Sequence, residues 1–230
     1  MSRVAILGVG KVGTAIARAA LAAGHEVTLA GSGSPDPVQF IVEVMAPGTQ
    51  TATAEDAVAG SDIVVLAIPL PKLESLDPAM LAGRVVIDAM NHWEPTDGAL
   101  PPVFAGAPDT SSVVAGHLAG ARVVKALNHI GYHEMEADAR ESAAPDRRGL
   151  AALSDDPAAA ETAAAFVSSF GFDVVPGAPL SLGTLLEPGT EIFAGSFSGR
   201  EIGERLTRSA LVSWDSIDAR TSAHPVEDGR

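Results

Sequence analysis

Cysteine is absent from the 230 residues, which excludes disulfides, thiolate metal sites and cysteine nucleophiles. Positive charge is scarce: 15 Lys and Arg stand against 29 Asp and Glu, a formal charge of −14. A chain so acidic lacks the basic face that nucleic acid or an anionic membrane surface requires. No apolar run reaches the ~20 residues of a membrane span. Aromatics make up only 4% of the chain although apolar residues make up 47%, so alanine and valine must carry the core. The opening "MSRVAILGVG" lacks the longer apolar stretch and small-residue cleavage site of a secretory signal and reads as a strand. A soluble, cytoplasmic protein is expected.

What is present is an alternation of apolar runs and alanine-rich segments. Val4–Leu7 is a short strand; Thr14 to Ala23 has helical spacing and closes on Gly24; "HEVTLA" resumes as a strand. "TQTATA" reads as an edge strand and "EDAVAG" as a short helix. "DIVVLAIP", "GRVVIDAM" and "ARVVKALN" are unbroken apolar runs, the signature of parallel strands covered on both faces. "RRGLAALS" and "FDVVP" add two strands around a helix from Pro157 to Phe170. The predicted fold is α/β: a Rossmann-type, doubly wound, mostly parallel sheet over residues 1–180, with a C-terminal helical or extended segment over 181–230. Ile202, Leu206 and Leu211 fit one helix face, and "TSAHPVEDGR" reads as a frayed tail. Leu182, Leu185, Leu186, Ile192, Phe193 and Phe197 are too apolar for a free tail, which points to a homodimer.

"GVGKVG" places Gly8, Gly10 and Gly13 at the G-x-G-x-x-G spacing, between a strand and a helix. The first glycine permits a tight turn and the second lets backbone approach a pyrophosphate. The third lets helix and strand pack closely, with the helix N-terminus facing the phosphates. A nicotinamide dinucleotide would lie over Gly8, Val9, Gly10, Lys11, Val12 and Gly13. The second strand ends at Ala30 with no carboxylate to hold an adenosine ribose, which removes the main determinant for NAD. Ser32, Gly33 and Ser34 instead offer hydroxyls and N–H groups in a turn suited to an anion, so NADP(H) is expected. Asp36, before Pro37, reads as the cap of the following helix.

These segments resemble the deazaflavin (coenzyme F-420)-dependent NADP oxidoreductases and the related NADPH-binding domains of metalloreductases. The similarity runs through "VAILGVGKVGTAIARAALAAGHEVTLAGS", "DIVVLAIPL" and "RVVKALNHI", and through "FGFDVVPGAPLSLGTLLEP", the specific late signature. It covers roughly residues 3 to 190 in order. The resemblance implies a cleft at the carboxyl ends of the strands, with the 2′-phosphate at Ser32–Ser34. It implies that the nicotinamide passes Ile68 and Pro69 to reach Ala89–Asn91, and that a second redox partner, the deazaflavin, stacks near Asn128, His129 and Ile130. Two departures stand out. The family's arginine after the serine is Gly33 here, and "AMNHWEP" is not the family's usual segment after the fifth strand.

Asn128, His129 and His92 are therefore the candidate catalytic residues, orienting two rings for hydride transfer to a small-molecule acceptor. No metal is expected: His92, His129 and His133 lack metal-ligand spacing. Asp88 ends a buried strand and reads as a loop anchor in need of a partner. Two other readings stay open: a nucleotide-binding sensor or scaffold without chemistry, and a reductase of a small carbonyl or imine with His92 or His129 as donor.

Overall fold

The structure is a computed structural model that describes residues 1–177 and 179–221, with side chains through residue 210. The side chain of Leu211 and the "TSAHPVEDGR" stretch beyond Thr221 lie outside the described residues. Eight strands form one sheet: β1 (Arg3–Leu7), β2 (Glu26–Ala30), β3 (Gln50–Thr51), β4 (Ile63–Leu66), β5 (Val85–Asp88), β6 (Arg122–Lys125), β7 (Gly149–Leu153) and β8 (Asp173–Gly177). Their order is β3-β2-β1-β4-β5-β6-β7-β8. The first half of the chain carries helices α1 (Lys11–Ala22), α2 (Asp36–Met45), α3 (Ala54–Ala59), α4 (Pro78–Leu81) and α5 (Glu94–Asp97). Beyond them come α6 (Thr110–His117), α7 (Glu134–Ala137), α8 (Pro157–Ser168), α9 (Glu191–Ala194) and α10 (Gly199–Thr221).

The unbroken apolar runs become strands buried on both faces because alternate side chains point opposite ways. Val4, Ile6, Val65, Ile87 and Val124 pack with Ile16 of α1 and Phe166 of α8 on one face. Ala5, Leu7, Val64, Leu66 and Val86 pack with Val58, Leu81 and Val114 on the other. This is the doubly wound Rossmann-type architecture, with a helical C-terminal region.

One departure from parallel pairing follows from the backbone. Leu127, just beyond β6, takes a left-handed φ of 64°, which turns the chain out of the ladder. No crossover helix of usual length follows, and β7 returns antiparallel, pairing Leu153 with Lys125; β8 then runs parallel to β7. The C-terminal residues cover this reversed pair. Leu182, Leu186, Ile192, Ile202 and Leu206 bury against Ala151 and Leu153. The apolar residues after Leu180 are thus largely consumed within their own chain.

Candidate functional site

The chain winds from β1 outward to β3, then returns to place β4 on the other side of β1. The crevice at that reversal is where open α/β sheets bind ligands. Backbone bonds continue past the strand ends and bring the next residues to one edge. Gly8 N–H donates to Ala30 O, Ala67 to Leu7, Ala89 to Leu66 and Ala126 to Asp88. Gly8, Ile68, Ala89 and the turn after β6 therefore follow neighbouring strand ends.

The three glycines are required for different reasons. Gly8 has φ 125°, and a Cβ there would overlap the Ala67 carbonyl across the crevice. A Cβ on Gly13 would overlap the Gly8 carbonyl oxygen. Gly10 is different, because a Cβ there would meet nothing within 4 Å. It stands at the N-cap of α1, where no side chain caps the helix and no acidic residue occupies the first turn. The N-terminal N–H groups and their partial positive charge face that space. Val9 and Val12 pack partly against the core while Lys11 is exposed. The Lys11 ammonium lies 5.4 Å from the Tyr132 ring centroid.

Ser32, Gly33 and Ser34 form an exposed loop after β2. Gly33 has φ 90° with open space around it, so the missing arginine leaves room rather than a filled site. Asp36 does not cap α2. It is the first helical residue, Pro35 holds the cap position and Asp36 is the acidic group of the first turn. Ile68 is half-buried and Pro69 exposed, next to the crevice.

At the far end, Ala89 is buried and Asn91 half-buried. The Asn91 amide donates to the Asn128 carbonyl (2.6 Å), and the Asn128 amide donates to Asn91 Oδ1 (3.2 Å) and Leu186 O (2.7 Å). His129 is buried behind them. Its Nε2 accepts the Ala151 N–H at 3.0 Å, so the ring proton sits on Nδ1, which donates to Asn128 Oδ1 at 3.2 Å. The imidazole stands in for a strand carbonyl where Leu127 has broken the ladder. Burial first, then the Arg148 and Lys125 cations, push its pKa down to about 3. It is neutral at physiological pH, and its proton points at Asn128. His92 is half-buried, 2.7 Å from Gly98 O, and His133 is exposed against Tyr132. The histidines are engaged separately, and no three metal-ligating side chains converge among the described residues. Trp93 is half exposed and packs at 5.6 Å and 59° on Phe193 of α9. Two depressions, of about 260 Å³ beside Arg140, Arg148 and Phe197 and about 230 Å³ beside Arg3 and Thr28, are lined by none of these candidate residues.

Sequence reasoning missed Lys125. It is fully buried, and its Nζ lies 3.1 Å from Asp88 Oδ2. The signal was available: "VVID" and "RVVK" end adjacent buried strands on opposite charges, and Asp88 pairs with Lys125 in register.

Several solved structures share this fold. A hypothetical protein from Sinorhizobium meliloti is 24% identical with a TM-score of 0.74, over 86% of this chain and 96% of that one. A candidate F420-dependent NADP-reductase from Arthrobacter sp. FB24 is 24% identical with a TM-score of 0.61, over 95% and 96%. A reductive aminase from Aspergillus terreus, solved with NADPH4, cyclohexanone and allyl amine, is 17% identical with a TM-score of 0.56. That match covers 80% of this chain but 57% of the aminase. At such identities the likeness is one of fold. No curated protein matches the chain. No helix among the described residues is long and apolar enough to cross a membrane. Residues 3–92 match the family described as NADP oxidoreductase, coenzyme F420-dependent; the match spans the glycine turn, Ser32–Ser34 and Ala89–Asn91, stops short of Asn128, and indicates an NAD(P)-dependent oxidoreductase of the Rossmann type.

Proposed function

We propose that the protein is a cytoplasmic, homodimeric oxidoreductase that transfers hydride between NADP(H) and a second planar acceptor of the deazaflavin kind. The observation that carries the reading is Gly10. The open space beside it, above an uncapped helix N-terminus in the G-x-G-x-x-G turn, is what the approach of a pyrophosphate requires. Ser32 and Ser34 supply donors for a 2′-phosphate, and the lack of a carboxylate after β2 favours NADP(H) over NAD(H). Without the arginine the preference is modest, on the order of 1–3 kcal/mol.

The coenzyme supplies or accepts the hydride; the protein's work is to bind, orient and exclude water. Gly8–Gly13 would hold the phosphates, and Ile68, Pro69 and Ala89 border the space where the nicotinamide would lie. Asn91, locked to Asn128 by the paired amides, gives the ring a fixed polar edge. His129 acts through Asn128 rather than as an acid, because its proton is committed to that amide. Trp93, propped on Phe193, offers an aromatic face for the acceptor. His92 borders the same turn.

Calorimetry with NADP+, NAD+ and the deazaflavin coenzyme F420, followed by stopped-flow oxidation of NADPH with F420, tests the reading. NADP+ is expected to bind more tightly than NAD+, and F420 to oxidise bound NADPH. A clear preference for NAD+ overturns the reading of Ser32–Ser34. No turnover with F420 or with any quinone, flavin or carbonyl tried favours a nucleotide sensor. Gly10→Val is expected to abolish dinucleotide binding while the chain stays folded, with a stability loss of about 1 kcal/mol for an altered cap. Unchanged affinity removes the site.

A further inference from the structure

We propose that the buried Asp88–Lys125 ion pair is a positioning device for the nicotinamide end of the cleft, acting through the turn at Ala89–Asn91. It rests on the dinucleotide reading above and adds to it two residues outside the cleft itself.

Both side chains have 0% exposure. The Lys125 ammonium donates to Asp88 Oδ2 at 3.1 Å and to the Met90 carbonyl at 2.7 Å. Asp88 Oδ1 accepts the Met90 N–H at 3.0 Å. Met90 thus has both backbone polar groups held by the charged side chains that end β5 and β6. The next residue is Asn91, the outermost member of the amide pair with Asn128. The ion pair fixes the turn from beneath, and the amides fix it from the side.

Stability alone does not explain the arrangement. Desolvating two charges is costly, and an apolar pair of similar volume commonly serves a core as well or better. The chain nonetheless seals the pair in. The turn at Leu180–Leu186 lies over it, with Gly183 so close that a Cβ would stand 3.3 Å from Lys125 Cγ and 2.6 Å from the Ser111 hydroxyl. Charge-assisted bonds are short and directional, and these restrain the two peptides that flank Met90 in the turn where hydride transfer is sensitive to small displacements.

The test compares NADPH with 2′-phospho-ADP-ribose, which lacks the nicotinamide, by calorimetry on the full chain; NADH and ADP-ribose serve as the pair if NAD(H) proves to be the ligand. In the double variant Lys125→Met with Asp88→Leu, NADPH is expected to bind about tenfold more weakly, the loss of one well-made hydrogen bond. 2′-Phospho-ADP-ribose is expected to bind within twofold of the unmodified chain. If that double variant does not fold, Lys125→Met with Asp88→Asn, which keeps an acceptor for the Met90 N–H and leaves no unpaired buried charge, is expected to show a smaller loss with the same selectivity. Equal losses for both ligands in the folded variant would make the pair merely structural and overturn the proposal, as would no loss for either. An unmodified chain that binds both ligands equally leaves no nicotinamide contribution to position and also overturns it. An unmodified chain that binds neither overturns the dinucleotide reading itself.

Discussion

At Gly8, Gly10 and Gly13 one sequence motif resolves into three separate physical demands. Gly8 and Gly13 serve the fold, because each faces backbone carbonyl too close for a methyl group. Gly13→Ala is therefore expected to lose about 1–3 kcal/mol from overpacking, read as a drop in urea midpoint, whereas Gly10→Val loses ligand first. An unchanged midpoint in Gly13→Ala would mean that the turn yields more easily than its geometry implies. The spacing was legible in the sequence; the division of labour needed coordinates. His129 was legible only as a polar group near a strand end. Its burial depends on Leu127 leaving the ladder, and no local pattern announces a left-handed leucine. With a folded pKa of about 3 against an ordinary 6.5, the unfolded chain binds a proton there that the folded chain does not. Stability is then expected to rise with pH across that interval, by up to about 1.4 kcal/mol per pH unit. Asp62 and Asp156, each held at about 2 by an arginine, have the same sign but act only below the ordinary carboxylate range. Denaturant titrations between pH 4.5 and 7 on the unmodified chain and His129→Phe check this. Parallel slopes would show that the ring is not the source.

At the scale of the element, β1, β4, β5 and β6 could be read from apolar runs because burial on both faces leaves room for few polar residues, whereas β3, only Gln50–Thr51 and polar, was legible only as an edge strand. The direction of β7 could not, since its sequence fits either orientation and the preceding connection decides. The segment after Leu180 was legible as buried but not as buried against what. The same hydrophobic term drives an apolar stretch onto its own sheet or onto a partner's. Here it folds back. Gly149 and Gly199 let the start of α10 dock closely on the starts of β7 and β8, where a Cβ at Gly149 would strike Ser198 and one at Gly199 would strike Asp173. Ile202 and Leu206 then complete the small core over β7. Ile202→Ala is expected to cost about 2–5 kcal/mol, measured by denaturant unfolding. Truncation after Pro188 is expected to leave an aggregating chain, because the covered face of β7 becomes exposed. A soluble, cooperatively folding truncation would show that α10 adds nothing the sheet needs.

At the scale of the whole molecule, the proposed homodimer must use a surface that the chain leaves free. The residues after Leu180 no longer qualify, but α2 does. Phe40, Ile41, Val44 and Met45 are all exposed, Phe40 to 73% and Val44 to 61%, while Val42 is the helix's one fully buried residue and Val38 packs partly against Gly31. Four large apolar side chains on one exposed helix form a patch of the kind that marks an interaction site. A second copy would bring the same stripe to meet it about a two-fold axis, which needs only self-complementarity. Net charge opposes that association, since each copy carries −14. The repulsion is long-ranged at low ionic strength and falls within about 8 Å at physiological salt. The two terms predict an unusual direction: the dimer tightens as salt rises, whereas an interface built on ion pairs would loosen. Light scattering at micromolar concentration is expected to give a dimer mass at physiological ionic strength and a larger monomer fraction as salt is removed. Phe40→Glu with Val44→Glu adds charge inside the apolar stripe and is expected to give monomers at every ionic strength, with the melting temperature of the isolated fold little changed because both side chains are exposed. A dimer that survives both substitutions places the interface elsewhere, and a monomer of the unmodified chain at high salt ends the case for assembly.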